Sequence, residues 1–262
     1  MKLKIYQIDA FADKVFSGNP AAVCPLEYWL SDDILQNIAR ENNMAATAFY
    51  VKQRNYYEIR WFTPTVELNL CGHGTLAAAY VLFNYENHNK NSIEFNSFKS
   101  GSLIATKIEE LIVLNFPAIN VKEIEMSEQI ISGFDIKPKF AYKSESEYLL
   151  VFANEEEIKR VRPVFETISQ LEGRGVIITA VGNEVDFVSR FFAPQININE
   201  DLATGSIHTL LIPYWAKYLG KNSLTAKQLS SRKGHFYCKY LNESVEIGGQ
   251  GKLYLEGNIF LS

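Results

Sequence analysis

Cysteine is scarce in this chain of 262 residues, and its three cysteines, Cys24, Cys71 and Cys238, form no Cys-x-x-Cys pair. Such an odd and widely spaced set argues against a disulfide framework and favours a reducing compartment. The four histidines show neither His-x-His nor His-Glu-x-x-His spacing, so no metal site is expected. His208, which falls inside a predicted helix, is expected to pack in the core or to cap the helix.

Long apolar runs and runs of lysine and arginine are also missing. No segment approaches the roughly 18 apolar residues of a membrane span, and residues 1–11 contain no apolar stretch of signal-peptide length. The net charge is −4 without a basic stripe, which argues against nucleic-acid binding. Nucleotide loops and hydrolase elbows are absent as well. The sequence therefore predicts a cytoplasmic protein with no cofactor and with neither a membrane nor a nucleic-acid partner.

What the chain does contain is apolar material, with 47% hydrophobic residues, and an internal repeat. Phe62-Thr63-Pro64 and Phe192-Ala193-Pro194 each begin at the last residue of a predicted strand, and each precedes an irregular stretch, a glycine turn and an apolar helix. A repeated order of this kind predicts two domains of the same α+β topology. We expect them at residues 1–117 and 118–262, and the sequence leaves open whether the last strand returns to the first domain.

The strongest local signal is Cys71-Gly72-His73-Gly74-Thr75, in which two glycines flank a histidine before a helix predicted to begin near Gly74. Glycine lets the backbone approach a ligand closely. A helix N-terminus offers free N–H groups that suit a carboxylate. Histidine titrates near neutral pH, so His73 suits proton transfer. A plain helix start with an incidental histidine would have the same pattern.

A second motif, Glu200-Asp201-Leu202-Ala203-Thr204-Gly205-Ser206, precedes another apolar helix, predicted to open at Gly205. Gly205 and Ser206 can offer N–H groups and a hydroxyl to an anion, and Asp201 can accept a proton. An ordinary helix start would explain this motif alone. Since both motifs occupy equivalent places in related halves, we predict one bound small acid with its reacting carbon between His73 and Asp201. That arrangement suits isomerisation or epimerisation.

Further stretches follow one another in a set order along the chain. They are Ile8-Asp9-Ala10-Phe11, Gly18-Asn19-Pro20-Ala21-Ala22-Val23, Trp61-Phe62-Thr63-Pro64, Ser189-Arg190-Phe191-Phe192-Ala193-Pro194, and later Gln228, Ser230, Arg232 and Gly234. Together with the two motifs, these stretches resemble the PhzF family of phenazine-biosynthesis isomerases. The resemblance covers nearly the whole chain.

The resemblance implies a fold like that of diaminopimelate epimerase: α+β, with two pseudo-symmetric domains, each a sheet wrapped around a central helix. It also implies a homodimer and an active site between the domains that needs neither cofactor nor metal. The named member of the family isomerises a dihydro-hydroxyanthranilate by shifting a proton. The residues carried over by motif are His73 and Asp201 for catalysis, and Gly72, Gly74, Gly205 and Ser206 for substrate binding.

One position departs from the family's pattern. The family places its acid/base glutamate in a run like Asn-Leu-Ser-Glu-Thr-Ala-Phe, whereas this chain reads Asn43-Met44-Ala45-Ala46-Thr47-Ala48-Phe49. Alanine cannot transfer a proton, and loss of a general acid/base costs about 10²–10⁴ in rate. We therefore expect weak activity or none, and the sequence leaves open whether Ala46 is natural or engineered.

Two other functions stay open. A racemase or epimerase could use Cys71, because Cys-Gly-His-Gly resembles the Cys-Gly-Asn-Gly of the epimerase. That chemistry needs a second thiol, whereas the matching segment of the second half carries Leu202 and Ala203. The other function is that of a non-catalytic protein that binds a small acid, which Ala46 also supports.

Overall fold

The computed structural model describes residues 1–86 and 88–261 and divides into two compact units. The first unit comprises Met1–Asn115 and Gly248–Ser262, and the second unit comprises Phe116–Ile247. The last strand, whose place the sequence left open, thus belongs to the first unit. Within the described residues, no helix combines the length and the hydrophobicity needed to cross a membrane.

The first unit is built mainly from strands, with one amphipathic and one apolar helix. Its elements in chain order are β1 (Lys2–Ala10), β2 (Asn19–Leu26), α1 (Asp32–Asn42), β3 (Ala46–Lys52), β4 (Tyr57–Phe62), β5 (Glu67–Leu68), α2 (Gly72–Asn84), β6 (Ser92–Ser97), β7 (Gly101–Ile108) and β8 (Leu111–Pro117). The C-terminal part of the chain returns to this unit as its final strand, described below.

The second unit is also built mainly from strands, with three short helices and one longer, apolar helix. Its elements are β9 (Lys122–Ile124), α3 (Glu128–Ser132), β10 (Phe140–Lys143), β11 (Glu147–Val151), α4 (Glu155–Arg160), α5 (Phe165–Ile168), β12 (Gly175–Val181), β13 (Phe187–Phe192), α6 (His208–Leu219), β14 (Ser223–Gln228), β15 (Gly234–Tyr240) and β16 (Ser244–Gly249). A 3₁₀ turn (Pro194–Ile196) follows β13, and β17 (Gly251–Phe260) completes the first unit.

The two units share one order of strand pairings. In the first unit β17–β1, β1–β2, β3–β4 and β6–β7 are antiparallel, whereas β2–β3 and β4–β6 are parallel. In the second unit β9–β10, β10–β11, β12–β13 and β14–β15 are antiparallel, whereas β11–β12 and β13–β14 are parallel. The units are therefore pseudo-symmetric, as the repeat predicted.

The register of the repeat can be followed residue by residue. Phe62 lies opposite Thr47, and Phe192 lies opposite Val176. Phe62 and Phe192 are the phenylalanines of the two Phe-x-Pro motifs, so Thr47 and Val176 occupy equivalent positions. The residue before Thr47 is Ala46, and it corresponds to the glycine before Val176, which opens β12.

An apolar helix forms the centre of each unit. Most of α2 from Gly74 to Leu82 is buried, and α2 packs against β1, β2, β3, β7 and β17. Most of α6 from His208 to Ala216 is also buried, and α6 packs against β14 and β15. A helix that is apolar on all sides is stable only inside a core. In each unit, the sheet therefore surrounds its central helix.

The two central helices begin at slightly different residues from those predicted. The first begins at Gly72 instead of Gly74, with Cys71 as its N-cap residue. The second begins at His208 instead of Gly205. The three residues before His208 form a tighter turn, in which the His208 N–H donates to the Gly205 carbonyl at 3.0 Å and the Thr209 N–H to the Ser206 carbonyl at 3.2 Å.

Candidate active site

Ala46, where the resemblance implies an acid/base glutamate, is the first residue of β3. Its side chain is fully buried, at 0% exposure. Strand register places it opposite Ala21 of the parallel strand β2. A methyl group at this place can neither donate nor accept a proton.

The Gly72-His73-Gly74 motif forms the first turn of α2. The carbonyl of Cys71 accepts the Thr75 N–H at 2.9 Å and the Thr75 hydroxyl at 2.7 Å. The first amides of an α-helix have no partner within the helix. The amides of Gly72 and Gly74 belong to this first turn, and the imidazole of His73, between them in sequence, is half-buried.

Cys71 lies beside this imidazole. Its Sγ is 3.5 Å from Nδ1 and 3.8 Å from Nε2 of His73, and the residue is 5% exposed. A thiol next to an imidazole is the arrangement of an activated nucleophile. The structure thus keeps Cys71 as a candidate, while Leu202 and Ala203 provide no thiol in the corresponding segment of the second unit.

Gly74 is a position where close packing requires glycine. A Cβ atom there would lie 2.9 Å from Cδ1 of Trp61 and 3.0 Å from Sγ of Cys71. Trp61 lies on β4 opposite Ala48, two residues after Ala46 in β3. The close contact therefore holds the first turn of α2 at the end of the sheet where Ala46 stands.

Asp201, in the second unit, begins the loop that leads into α6. Its amide donates to the Phe191 carbonyl at 3.0 Å. Its Oδ1 accepts the Leu202 N–H at 2.8 Å, and its Oδ2 accepts the Thr204 hydroxyl at 2.5 Å. These bonds fix the orientation of the carboxylate.

Gln228 of β14 ties this loop to the sheet. The fully buried side chain accepts the Thr204 N–H at 2.8 Å and donates to the Asp201 carbonyl at 2.7 Å and to the Thr204 hydroxyl at 3.2 Å. The Ser230 hydroxyl donates to the carbonyl of Leu202. The sequence indicated Gln228 and Ser230 only as parts of a family pattern, and the structure shows that they hold the Asp201 loop.

Ser206 contacts an arginine that the sequence did not indicate. Its Oγ accepts from Nη2 of Arg174 at 3.1 Å. Arg174 also pairs with Glu147, whose Oε1 lies 2.8 Å from Nε and 2.6 Å from Nη2. No local pattern marks Arg174, because the contact joins two residues that are 32 positions apart.

His208, at the start of α6, is fully buried, as expected for a core or cap residue. Its ring stacks on Phe236 with centroids 3.8 Å apart, and its Nδ1 lies 2.9 Å from the Thr204 carbonyl oxygen. Burial lowers the pKa of His208 to about 4. The ring is therefore neutral near pH 7 and supports the loop instead of exchanging protons.

Asp9, at the end of β1, is a buried carboxylate that the sequence suggested only as part of a family motif. It is 1% exposed, and its Oδ2 accepts the Phe16 N–H at 2.7 Å. It lies opposite Pro20, next to the Ala21 that faces Ala46. Throughout the described part of the chain, no three His, Cys, Asp or Glu side chains are grouped so that they could hold a metal ion.

Comparison with known proteins gives the same family for almost the whole sequence. The family model described as PhzC-PhzF, phenazine biosynthesis-like protein, matches residues 8–257. A Pseudomonas aeruginosa protein named as an uncharacterized isomerase is 44% identical over 262 residues, and the match covers 100% of both chains.

Solved structures match at full length as well. A PhzF-family phenazine biosynthesis protein of Enterococcus faecalis is 45% identical, with a TM-score of 0.97 and 100% of both chains covered. A predicted epimerase of P. aeruginosa is 19% identical, with a TM-score of 0.76 over 99% of this chain and 100% of the other. At that identity the likeness concerns the fold alone, which is the epimerase-like fold.

Proposed function

Because the chain belongs to the phenazine biosynthesis-like (PhzC-PhzF) family, whose members include named isomerases, we propose that it is built to shift a proton within a small carboxylic acid without a cofactor. The fold is that of diaminopimelate epimerase, with two pseudo-symmetric halves. The substrate class and the reaction are the parts that we propose.

The observation that carries this proposal is the equivalence of the two turns. In each half, the turn that follows the Phe-x-Pro motif leads into the buried central helix, and each turn carries a group that can exchange a proton. The groups are the His73 imidazole in the first unit and the Asp201 carboxylate in the second. Backbone amides at such turns suit a carboxylate substrate.

The roles follow from the chemistry of the groups. We assign the binding of the substrate's carboxylate to Gly72 and Gly74 in the first unit and to Gly205 and the Ser206 hydroxyl in the second. We assign proton transfer to His73 and Asp201. The carbon-to-carbon proton shift needs a further acid/base, which the family's glutamate supplies and Ala46 does not. We therefore propose that this chain catalyses the proton shift slowly or not at all.

The test is solvent deuterium exchange in D₂O with the chain as it stands, with Ala46→Glu and with Ala46→Gln, on unsaturated and amino acids that include the dihydro-hydroxyanthranilate. We expect Ala46→Glu to raise the exchange rate by about 10²–10⁴. Ala46→Gln is the matched control, because it adds the same volume without a titratable group. Thermal unfolding of each variant checks that the buried position accepts the longer side chain.

Each outcome separates the alternatives. Exchange in the glutamate variant alone supports the isomerase, and its loss on adding His73→Gln or Asp201→Asn supports their roles. Equal exchange in all three chains would contradict the role of position 46. Ligand binding without exchange in any chain would favour the small-acid binding protein. Activity that is abolished by alkylating Cys71 would favour the thiol-dependent epimerase.

We also propose that the protein acts in the cytoplasm as a homodimer, on the basis of the family resemblance. Light scattering coupled to size exclusion measures the mass directly. A mass of twice 29.8 kDa supports the dimer, and a mass of 29.8 kDa contradicts it.

A further inference from the structure

Arg174 lies immediately before β12, the strand that the internal repeat relates to β3. It precedes Gly175, which opens β12 and corresponds to Ala46 of β3. The strand end where the family carries its glutamate in the first unit thus carries an arginine in the second. The guanidinium is held near the ring of Phe191, 5.2 Å from the ring centre, and the side chain is 35% exposed.

The hydrogen bonds of Arg174 determine what Ser206 can do. An arginine can only donate, so the Ser206 Oγ acts as the acceptor in the 3.1 Å contact. The hydroxyl proton of Ser206 is then left for another acceptor. Within the described residues, no hydrogen bond uses that proton, and none uses Nη1 of Arg174.

We propose that Arg174 is a positioning residue, which commits the Ser206 hydroxyl to donate a hydrogen bond to the substrate's carboxylate. Glu147 holds the guanidinium in place through Nε and Nη2. The relay Glu147–Arg174–Ser206 makes the serine a fixed and polarised donor, since a donated bond from a cation strengthens the next bond in a chain. This inference rests on the proposed function for the binding role of Ser206.

A purely structural ion pair is the competing explanation. The Glu147 side chain is 7% exposed and also accepts the Ser144 hydroxyl at 2.9 Å. Removing Arg174 alone would leave the buried carboxylate of Glu147 without its cationic partner, and this would destabilise the folded protein. The informative variant is therefore Arg174→Met combined with Glu147→Gln, compared with Glu147→Gln alone. Thermal melting verifies that both fold.

The experiment measures the binding of anthranilate, and of its neutral amide 2-aminobenzamide, by NMR titration up to millimolar concentration. We expect the unaltered chain to bind the acid more tightly than the amide. Ser206→Ala and the Arg174→Met/Glu147→Gln pair should each weaken binding of the acid about tenfold. The triple variant should also lose about tenfold instead of a hundredfold, because both changes remove one donor. Arg54→Met, at an exposed arginine between β3 and β4, is the matched control and should change nothing.

Three results would overturn the relay: no binding of anthranilate by the unaltered chain, unchanged binding by the Arg174→Met/Glu147→Gln pair, or losses that multiply in the triple variant. Deuterium exchange by Ala46→Glu is measured separately. Binding that depends on Arg174 without any exchange supports the relay and contradicts the isomerase. Exchange with binding that is indifferent to Arg174 contradicts the relay alone.

Discussion

A neutral imidazole supports the loop that carries Asp201 and Ser206. The Thr204 carbonyl can only accept, so Nδ1 of His208 carries the ring proton and donates it at 2.9 Å. Burial lowers the pKa of His208 from 6.5 to about 4, because a charged ring has no solvent there. The protonation state of this single residue therefore affects the stability of the second unit.

We predict a loss of stability through His208 as the pH falls from about 6.5 to about 4. In this range the unfolded chain binds a proton that the folded chain does not, so the free energy of unfolding falls by up to about 3 kcal/mol. Above pH 6.5 both states are neutral and the contribution vanishes. Urea unfolding of the unaltered chain and of His208→Asn, which keeps an N–H donor, should differ in this window.

The control for this prediction is His88→Asn, at a partly exposed histidine. It should retain the loss of stability that the unaltered chain shows. Identical pH profiles for the unaltered chain and for His208→Asn would contradict the prediction.

At the scale of elements, the turn before α6 depends on a strand far away in sequence. The Asp201 loop has little regular structure of its own, but Gln228 and Ser230, at the end of β14, bind its backbone. A loop held by a rigid strand can keep a carboxylate in one orientation. In the first unit, the turn that carries His73 is held in a different way, by direct packing of Gly74 against Trp61.

We expect Gln228→Leu to lower the free energy of unfolding by about 2–4 kcal/mol, because the Thr204 amide and the Asp201 carbonyl lose buried partners. Hydrogen exchange of the Asp201 loop should accelerate as well. Denaturant unfolding and exchange mass spectrometry measure the two effects. Gln129→Leu, at an exposed position in α3, should stay within about 0.5 kcal/mol of the unaltered chain. An equal effect at both glutamines would contradict the role of Gln228.

At the scale of the whole molecule, the first unit is discontinuous in sequence. The chain completes most of this unit, forms the second unit, and returns as β17. β17 runs antiparallel to β1 along its full length, from Lys2 opposite Phe260 to Ala10 opposite Gly251. The first unit is therefore complete only once the last residues have been added.

We predict that a chain ending at Gly249 fails to form a stable first unit. The truncation removes one of the two strand partners of β1. It also uncovers Leu3 and Ile5, which are partly buried and, like Ile259, pack against a core cluster of this unit. Soluble yield and thermal unfolding measure the loss. Phe260→Ser, at a side chain that is 76% exposed in the same strand, is the control and should melt like the unaltered chain. A truncated chain that melts at the unaltered temperature would contradict the prediction.

The long elements and the repeat could be predicted from sequence, because hydrophobic periodicity and turn residues are local signals. α2, α6 and the strands around them are near their predicted places, within a few residues at the helix starts. The short elements α3 and α5, with five and four residues, were not predicted. A helix of one turn is too short to show a period.

The sequence by itself determined the family, the motifs around His73 and Asp201, and the alanine at position 46, since each is a matter of residue order. Only the tertiary structure decided that Arg174 contacts Ser206, that Gln228 holds Thr204, and that Asp9 is buried on β1, with β2 between it and the strand of Ala46. The physical reason is that hydrogen bonds and burial depend on distances in space, and strand pairing brings together residues that the chain keeps far apart.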